Sequence, residues 1–96
     1  MDLLIIVSTP KSGAIADALG QAANRARVDR AAFFTNDGVK TLADTGLCET
    51  LTRASRAIAC HDSWRQHMGD TTCPIESGSQ TSNSELVGSA TRIVSL

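Results

Sequence analysis

The sequence predicts one small α/β domain in three layers, a mainly parallel four-stranded sheet with helices on both of its faces. Short apolar runs typical of strands buried on both faces alternate along the chain with amphipathic segments of helical period. The chain has 96 residues, whereas an average domain has about 150. Residues 1–96 are therefore expected to form a single domain.

The first strand is predicted at Leu3–Val7, an unbroken and partly β-branched apolar run. After a turn at 9–11, Ser12 is expected to cap a helix over 13–27. The next apolar run, 31–34, predicts the second strand, which a right-handed crossover would join to the first. The apolar positions that follow helical spacing in the first helix are Ile15, Ala18, Leu19, Ala22 and Ala26.

The middle of the chain is expected to contain short helical segments before the third strand. Val39 and Leu42 share one face of a short helix, and Gly46 stands where a left-handed C-terminal cap is expected. A further helical turn over 49–54 leads to the third strand at Arg56–Cys60.

The last third of the chain begins with a short helix, which Asp62 or Ser63 is expected to cap and Gly69 to end. Residues 70–84 are predicted to form a polar loop, rich in Thr, Ser, Gly and Asn. A loop of that length in so small a domain suggests a function. A final helical turn and a fourth strand over 92–96 complete the predicted fold.

Charge and hydropathy exclude several classes of partner. Nine Lys and Arg against ten Asp and Glu give a net charge of −1, which disfavours binding to nucleic acid. The longest apolar run is Leu3–Val7, far short of the roughly twenty residues that span a bilayer. Neither a membrane span nor a signal peptide is indicated, so we expect a cytoplasmic protein. Because the core is rich in Ala and has only three aromatic residues, self-association is expected to supply further burial.

Candidate functional residues gather where parallel strands end, since ligands of such folds bind beyond the carboxyl ends of the strands. The segments expected to converge there are 8–13, 35–38, 60–63 and parts of 70–84.

Cys60 is the main candidate for chemistry, because it ends a strand and directly precedes a helix. Backbone N–H groups at a helix N-terminus stabilise a thiolate. A protonated His61 would favour the same charge, whereas the neighbouring Asp62 would oppose it. The alternative is that Cys60 is a small buried hydrophobic residue. Cys73 is a candidate second thiol or an anchor for the polar loop, and Cys48 is expected to be structural.

Five polar residues are candidates for binding a small ligand. Ser8 and Lys11 follow the first strand, but without the glycine pattern of a phosphate loop they predict at most weak anion binding. Asn36 follows the second strand, and Gln80 and Asn83 offer donors and acceptors in the polar loop. No metal is expected, since the Cys and His residues lack the paired spacing of a zinc site.

Four segments together resemble one known family. Leu3–Val7 resembles the first strand of that family. Residues 31–39 resemble its second strand, which has a pair of aromatic residues and an acidic residue followed by Gly. Residues 57–60 resemble a third strand that ends in a reactive cysteine, and 90–96 resemble a closing strand. In this arrangement the chain is similar to the DsrE/TusD family of small sulfur-relay proteins.

The resemblance implies a DsrE-like fold and a function in sulfur trafficking. Cys60 would accept a sulfane sulfur as a persulfide and pass it to the thiol of a partner, without a metal or an organic cofactor. Homo-oligomers, or hetero-oligomers with related chains, are implied, together with sulfur-donor and sulfur-acceptor proteins. The alternatives are a noncatalytic module that binds a small ligand or supports oligomeric assembly, and a regulatory nucleotide binder.

Overall fold

The computed structural model describes all residues 1–96 as an α/β domain with a five-stranded, all-parallel sheet. The strands are Leu3–Val7 (β1), Arg30–Phe34 (β2), Arg56–Cys60 (β3), Glu76–Gly78 (β4) and Arg92–Ser95 (β5). Their order across the sheet is β4-β3-β2-β1-β5. The predicted α/β class and parallel sheet are confirmed.

Five helical segments connect the strands. They are Gly13–Ala26 (α1), a 3-10 helix at Asn36–Ala43, Thr45–Leu51 (α2), His61–Met68 (α3) and Gln80–Ser89 (α4). None of the helices is long and apolar enough to cross a membrane.

Hydrophobic clusters on the two faces of the sheet give the domain its three layers. The larger cluster lies on the face covered by α1, α2, α3 and the 3-10 helix, which we call the α1 face. The smaller cluster lies on the opposite face beneath α4, which we call the α4 face. Its buried members are Leu4, Ala31, Phe33, Ile58, Cys60 and Leu86.

The prediction of four strands is wrong, because β4 and the start of α4 occupy much of the predicted polar loop 70–84. β4 pairs with β3 in parallel register, with Glu76 beside Ile58 and Gly78 beside Cys60. It is an edge strand in which two of the three residues are exposed. An exposed edge strand does not need the apolar residues by which a buried strand is predicted. α4 then begins within the predicted loop, where Ser79 forms a capping box with Ser82.

The buried face of α1 is only in part the predicted one, since Leu19 is half-buried against the core but the rest of the predicted stripe is not. Ile15 is 54% exposed, and the buried positions are instead Ala16, Gly20 and Ala23. α2 approaches these small residues so closely that a Cβ at Gly20 would lie 2.6 Å from Cγ2 of Thr50. Close packing of two helices therefore selects the stripe of small residues over the stripe of larger ones. Ser12 precedes the helix as predicted but makes no capping hydrogen bond.

The predicted C-terminal cap at Gly46 is wrong as well. Gly46 lies in the first turn of α2, where its N–H donates to the carboxylate of Asp44 at 2.9 Å. Asp44 is thus the N-cap of a helix that begins four residues before the predicted turn at 49–54. By contrast, Gly69 ends α3 with a φ of 61°, as the sequence predicts.

Candidate functional site

Cys60 lies at the junction of β3 and α3, at the carboxyl edge of the sheet. It is the N-cap residue of α3, with an extended backbone at φ −61° and ψ 121°. The prediction that Asp62 or Ser63 caps this helix is therefore wrong, since α3 begins at His61, directly after Cys60. The first turn of α3 has backbone N–H groups without helical partners, and they face the cap residue.

Donor groups of three neighbouring residues lower the pKa of the Cys60 thiol, although Sγ makes no capping hydrogen bond to α3. Donors are the hydroxyl and the backbone N–H of Ser63, the backbone N–H of Asp62 and the side-chain amide of Gln80. Burial alone raises the pKa of Cys60, but the nearby donors outweigh burial and hold the pKa below its ordinary value. The site therefore favours a thiolate, which is the nucleophilic form of cysteine.

Ser63 connects this thiol to the end of β2. Its side chain is buried, and its Oγ accepts a hydrogen bond from the backbone N–H of Asn36 at 2.9 Å. Thr35 Oγ1 lies 3.5 Å from the same oxygen and accepts a hydrogen bond from Gln80 Nε2 at 3.2 Å. The network thus joins β2, β3 and the first turn of α4 around Cys60.

The structure joins three of the predicted segments in one hydrogen-bond network, and the first segment borders it where Gly38 lies against Ser8. Thr35 and Asn36, Ser63, and Gln80 make contact, as expected for 35–38, 60–63 and part of 70–84. Segment 8–13 follows β1, which β2 separates from β3.

The side chains in segment 8–13 have other environments. Ser8 donates its hydroxyl hydrogen to the carbonyl oxygen of Leu96 at 3.1 Å, and Lys11 is exposed. Their assignment to a ligand site stays a prediction.

His61 is exposed and lies beside the edge strand. Its Nδ1 is 3.3 Å from the hydroxyl of Ser77 in β4. The groups that shift the pKa of Cys60 do not include His61. The role predicted for His61 beside the thiol stays a prediction.

Asn83 lies one turn after Gln80 on α4. Its side-chain oxygen is buried and has no hydrogen-bond partner. A buried acceptor without a donor costs free energy, so this amide could accept a hydrogen bond from a ligand. The role predicted for Asn83 in binding a polar ligand stays a prediction.

The other two cysteines belong to the opposite side of the sheet. All three cysteines are free, and both Cys48 and Cys73 pack against the cluster on the α1 face. Burial, with smaller effects from Asp44 and Cys73, raises the pKa of Cys48. The sheet therefore lies between Cys73 and the Cys60 site, and the role of Cys73 as a second thiol stays a prediction.

Ser63 is not identified from the sequence as a donor to the Cys60 thiol, although the spacing of the two residues indicates it. Ser63 is three residues after Cys60, the spacing at which an N-cap side chain meets the N3 position of a helix. Thr35 has only the general signal of segment 35–38, which follows a strand, since its contact with Ser63 depends on the pairing of β2 with β3.

The arrangement defines a class of site, a hydrogen-bonded thiolate at a helix N-terminus on the carboxyl edge of a parallel sheet. No three or more His, Cys, Asp or Glu side chains are grouped so that they could hold a metal ion. Comparison of the chain with models of protein families, with curated proteins and with solved structures finds no match. The functional conclusion therefore depends on the site itself.

Proposed function

We propose that this chain is a sulfur-trafficking protein of DsrE-like fold that carries a sulfane sulfur as a persulfide on Cys60. The observation that supports it is the set of four donors around Cys60, which favours the thiolate even though the side chain is only 6% exposed. A cysteine that served only as a small buried hydrophobic residue would have no need of these donors.

The chemistry requires two successive displacements at sulfur. The Cys60 thiolate attacks the outer sulfur of a donor persulfide, forming a new S–S bond as the bond within the donor breaks. The donor leaves as a thiolate with the electron pair of the broken bond, and Cys60 becomes a persulfide. A partner thiolate then attacks the outer sulfur and releases Cys60 as a thiolate. Neither step consumes an oxidant or a reductant, because one S–S bond forms as another breaks.

The surrounding residues stabilise the anion on Cys60 before the first step and after the second. The N–H groups of Asp62 and Ser63 are fixed by α3, and the Ser63 hydroxyl is held by the network with Thr35 and Asn36. Gln80 is exposed at the start of α4, so its amide lies on the side from which a sulfur donor would approach.

Partners in the proposal are a sulfur-donor protein, a sulfur-acceptor protein and other copies of this or a related chain. Exposed apolar residues support an oligomer, since Val87 is 39% and Ile93 is 45% exposed. Ile93 pairs with Leu4 in the sheet and so lies on the α4 face, which α4 covers only in part. We place the protein in the cytoplasm, where a reducing environment keeps free cysteines reduced.

The proposal is tested by incubating the protein with glutathione persulfide and mapping the sulfur that it gains. Trypsin separates the three cysteines, because cleavage after Lys and Arg places Cys48 in 41–53, Cys60 in 57–65 and Cys73 in 66–92. We expect peptide 57–65 to gain the mass of one sulfur atom and to lose it when a small thiol is added. Absence of sulfur from this peptide would instead favour a noncatalytic binding or assembly module.

A Ser63→Ala variant is expected to load sulfur more slowly at neutral pH. Loss of the hydroxyl donor raises the pKa of Cys60 and lowers its thiolate fraction. Loss of one donor to a charged group, about 1.5 to 3 kcal/mol, corresponds to a rate about ten- to hundredfold lower, since 1.36 kcal/mol is one pKa unit. The rate of sulfur gain in peptide 57–65 measures this effect. A Ser84→Ala variant is the matched control, because Ser84 is exposed on α4, and an equal slowing of both variants would contradict the assignment.

A further inference from the structure

A pocket lies at the amino edge of the sheet, the edge opposite to Cys60. Its volume is about 280 Å³, and it opens between the end of α1, the start of β2 and the segment after α2. Its charged lining residues are Arg27, Asp29, Arg30 and Arg53. Three arginines against one aspartate give this lining a charge of +2 (3 − 1), whereas the whole chain carries −1.

Arg30 is a buried cation without a carboxylate partner. It is 3% exposed and makes no salt bridge, since the one ion pair of the structure joins Arg56 to Glu76. Charged residues are almost never fully buried unless they are paired. The positive charge of Arg30 is therefore not neutralised within the chain.

The guanidinium of Arg30 donates hydrogen bonds to two carbonyl oxygens near the end of α2. Nη2 donates to Thr50 at 2.7 Å and Nη1 donates to Arg53 at 3.3 Å. These bonds cap the end of the helix and partly offset the charge. They use two of the five N–H donors of a guanidinium and leave three.

Capping of α2 does not explain the other two arginines. Burial lowers the pKa of Arg30, and the nearby charge of Arg53 lowers it further, so two like charges act on each other here. A guanidinium stays charged despite such a shift. Arg27 ends α1 and adds a third cation to the lining, which increases the positive potential.

The end of α1 carries a partial negative charge, which hydrogen bonds within the chain offset in part. Its carbonyl oxygens at Ala23 and Asn24 already accept hydrogen bonds from the N–H groups of Val28 and Arg27. The carbonyls near the end of α2 are likewise occupied by Arg30. The exposed side chains of Arg27 and Arg53 and the remaining donors of Arg30 are the cationic groups available to an anion here.

We propose that this pocket binds a small phosphate, either free inorganic phosphate or the phosphate group of a small ester. Guanidinium groups match the geometry of phosphate oxygens and bind them through pairs of charge-assisted hydrogen bonds. The volume of about 280 Å³ is below the usual range of about 300 to 1,000 Å³ for sites of drug-sized ligands. The pocket thus fits a compact anion, and its site is separate from the thiol of Cys60.

Titration calorimetry tests the proposal. The protein is titrated at constant ionic strength with inorganic phosphate and with glycerol 3-phosphate, and chloride is the control anion. We expect saturable binding at one site for at least one of the two phosphates. An Arg27→Gln/Arg53→Gln double variant should bind about tenfold more weakly, because two exposed cations are lost. A Lys40→Gln/Arg65→Gln variant is the matched control, since it removes two exposed cations outside the pocket and should keep wild-type affinity.

The two phosphates distinguish the source of the ligand, since stronger binding of glycerol 3-phosphate would point to an ester and equal binding to the free ion. Modification of wild-type arginines by phenylglyoxal provides a readout that needs no variant. Phosphate should protect Arg27 and Arg53 from modification but leave Arg65 reactive. Absence of saturable binding, equal affinity in both double variants, or no selective protection would each overturn the proposal.

Discussion

Replacing Cys60 with serine is expected to reduce sulfur loading to background, while replacement of Cys73 leaves it unchanged. Cys60 is the cysteine whose pKa is lowered by surrounding donors. A serine hydroxyl in the same place is too weakly acidic to supply an anionic nucleophile. Cys73 packs on the α1 face, away from this network.

The measurement is the rate at which each tryptic cysteine peptide gains sulfur from glutathione persulfide. Cys48→Ser is a second matched control, because burial raises the pKa of Cys48 and its thiol donates to the carbonyl oxygen of Leu42 at 3.3 Å. A Cys60→Ser variant that gains as much sulfur as wild type would falsify the assignment of Cys60 as the carrier. Loss of loading in Cys73→Ser alone would transfer the role to Cys73.

Replacing Gly38 with alanine is expected to destabilise the fold by about 3 kcal/mol, the upper part of the usual range for overpacking. A Cβ at Gly38 would lie 2.4 Å from the carbonyl oxygen of Val7 and 2.9 Å from Cα of Ser8. Both atoms belong to the backbone at the end of β1, so neither can move aside as a side chain could. The 3-10 helix would have to shift, and with it Asn36, which bonds to Ser63 beside the thiol.

The free energy of unfolding from chemical denaturation measures this effect. Gly88→Ala is the matched control, since a Cβ at Gly88 in α4 meets nothing within 4 Å. Alanine is favoured over glycine within a helix by about 1 kcal/mol, so the control should be neutral or stabilised. Equal denaturation midpoints for Gly38→Ala and wild type would show that the 3-10 helix does not pack against β1 in this way.

The strands buried in the middle of the sheet were the part of the fold best predicted from sequence. Leu3–Val7 and Arg56–Cys60 have the predicted bounds, since strands covered on both faces need continuous apolar side chains. β4 at Glu76–Gly78 could not be predicted in this way, because it lies at the edge and carries no large apolar residue. Its position depends on pairing with β3, which is a tertiary interaction.

The position of α1 on the sheet could not be predicted for a related reason. The sequence offers two stripes on that helix, one with Ile15 and Leu19 and one with Ala16, Gly20 and Ala23. Hydrophobicity favours the first stripe, whereas close contact with α2 favours the second. The periodicity of residues along one helix gives no information on how closely a second helix approaches it.

The sequence predicts which segments meet around Cys60, namely 35–38, 60–63 and part of 70–84, but not the individual contacts among them. The junction of a strand and a helix identifies Cys60, because that property is local in sequence. The donors from Ser63 and Gln80 and the link to Thr35 depend on how three elements meet. Similarly, only the fold shows that Cys73 lies on the other face of the sheet.

Cys60 is proposed to be a reachable thiolate near neutral pH, and the pH dependence of its alkylation reports that state. The rate of iodoacetamide labelling of peptide 57–65 follows the thiolate fraction. We expect labelling with a midpoint clearly below the ordinary cysteine pKa of about 8.5, and faster at neutral pH than labelling of Cys48. A midpoint at or above that of Cys48, or a Cys60 that labels only when the protein is unfolded, would contradict it.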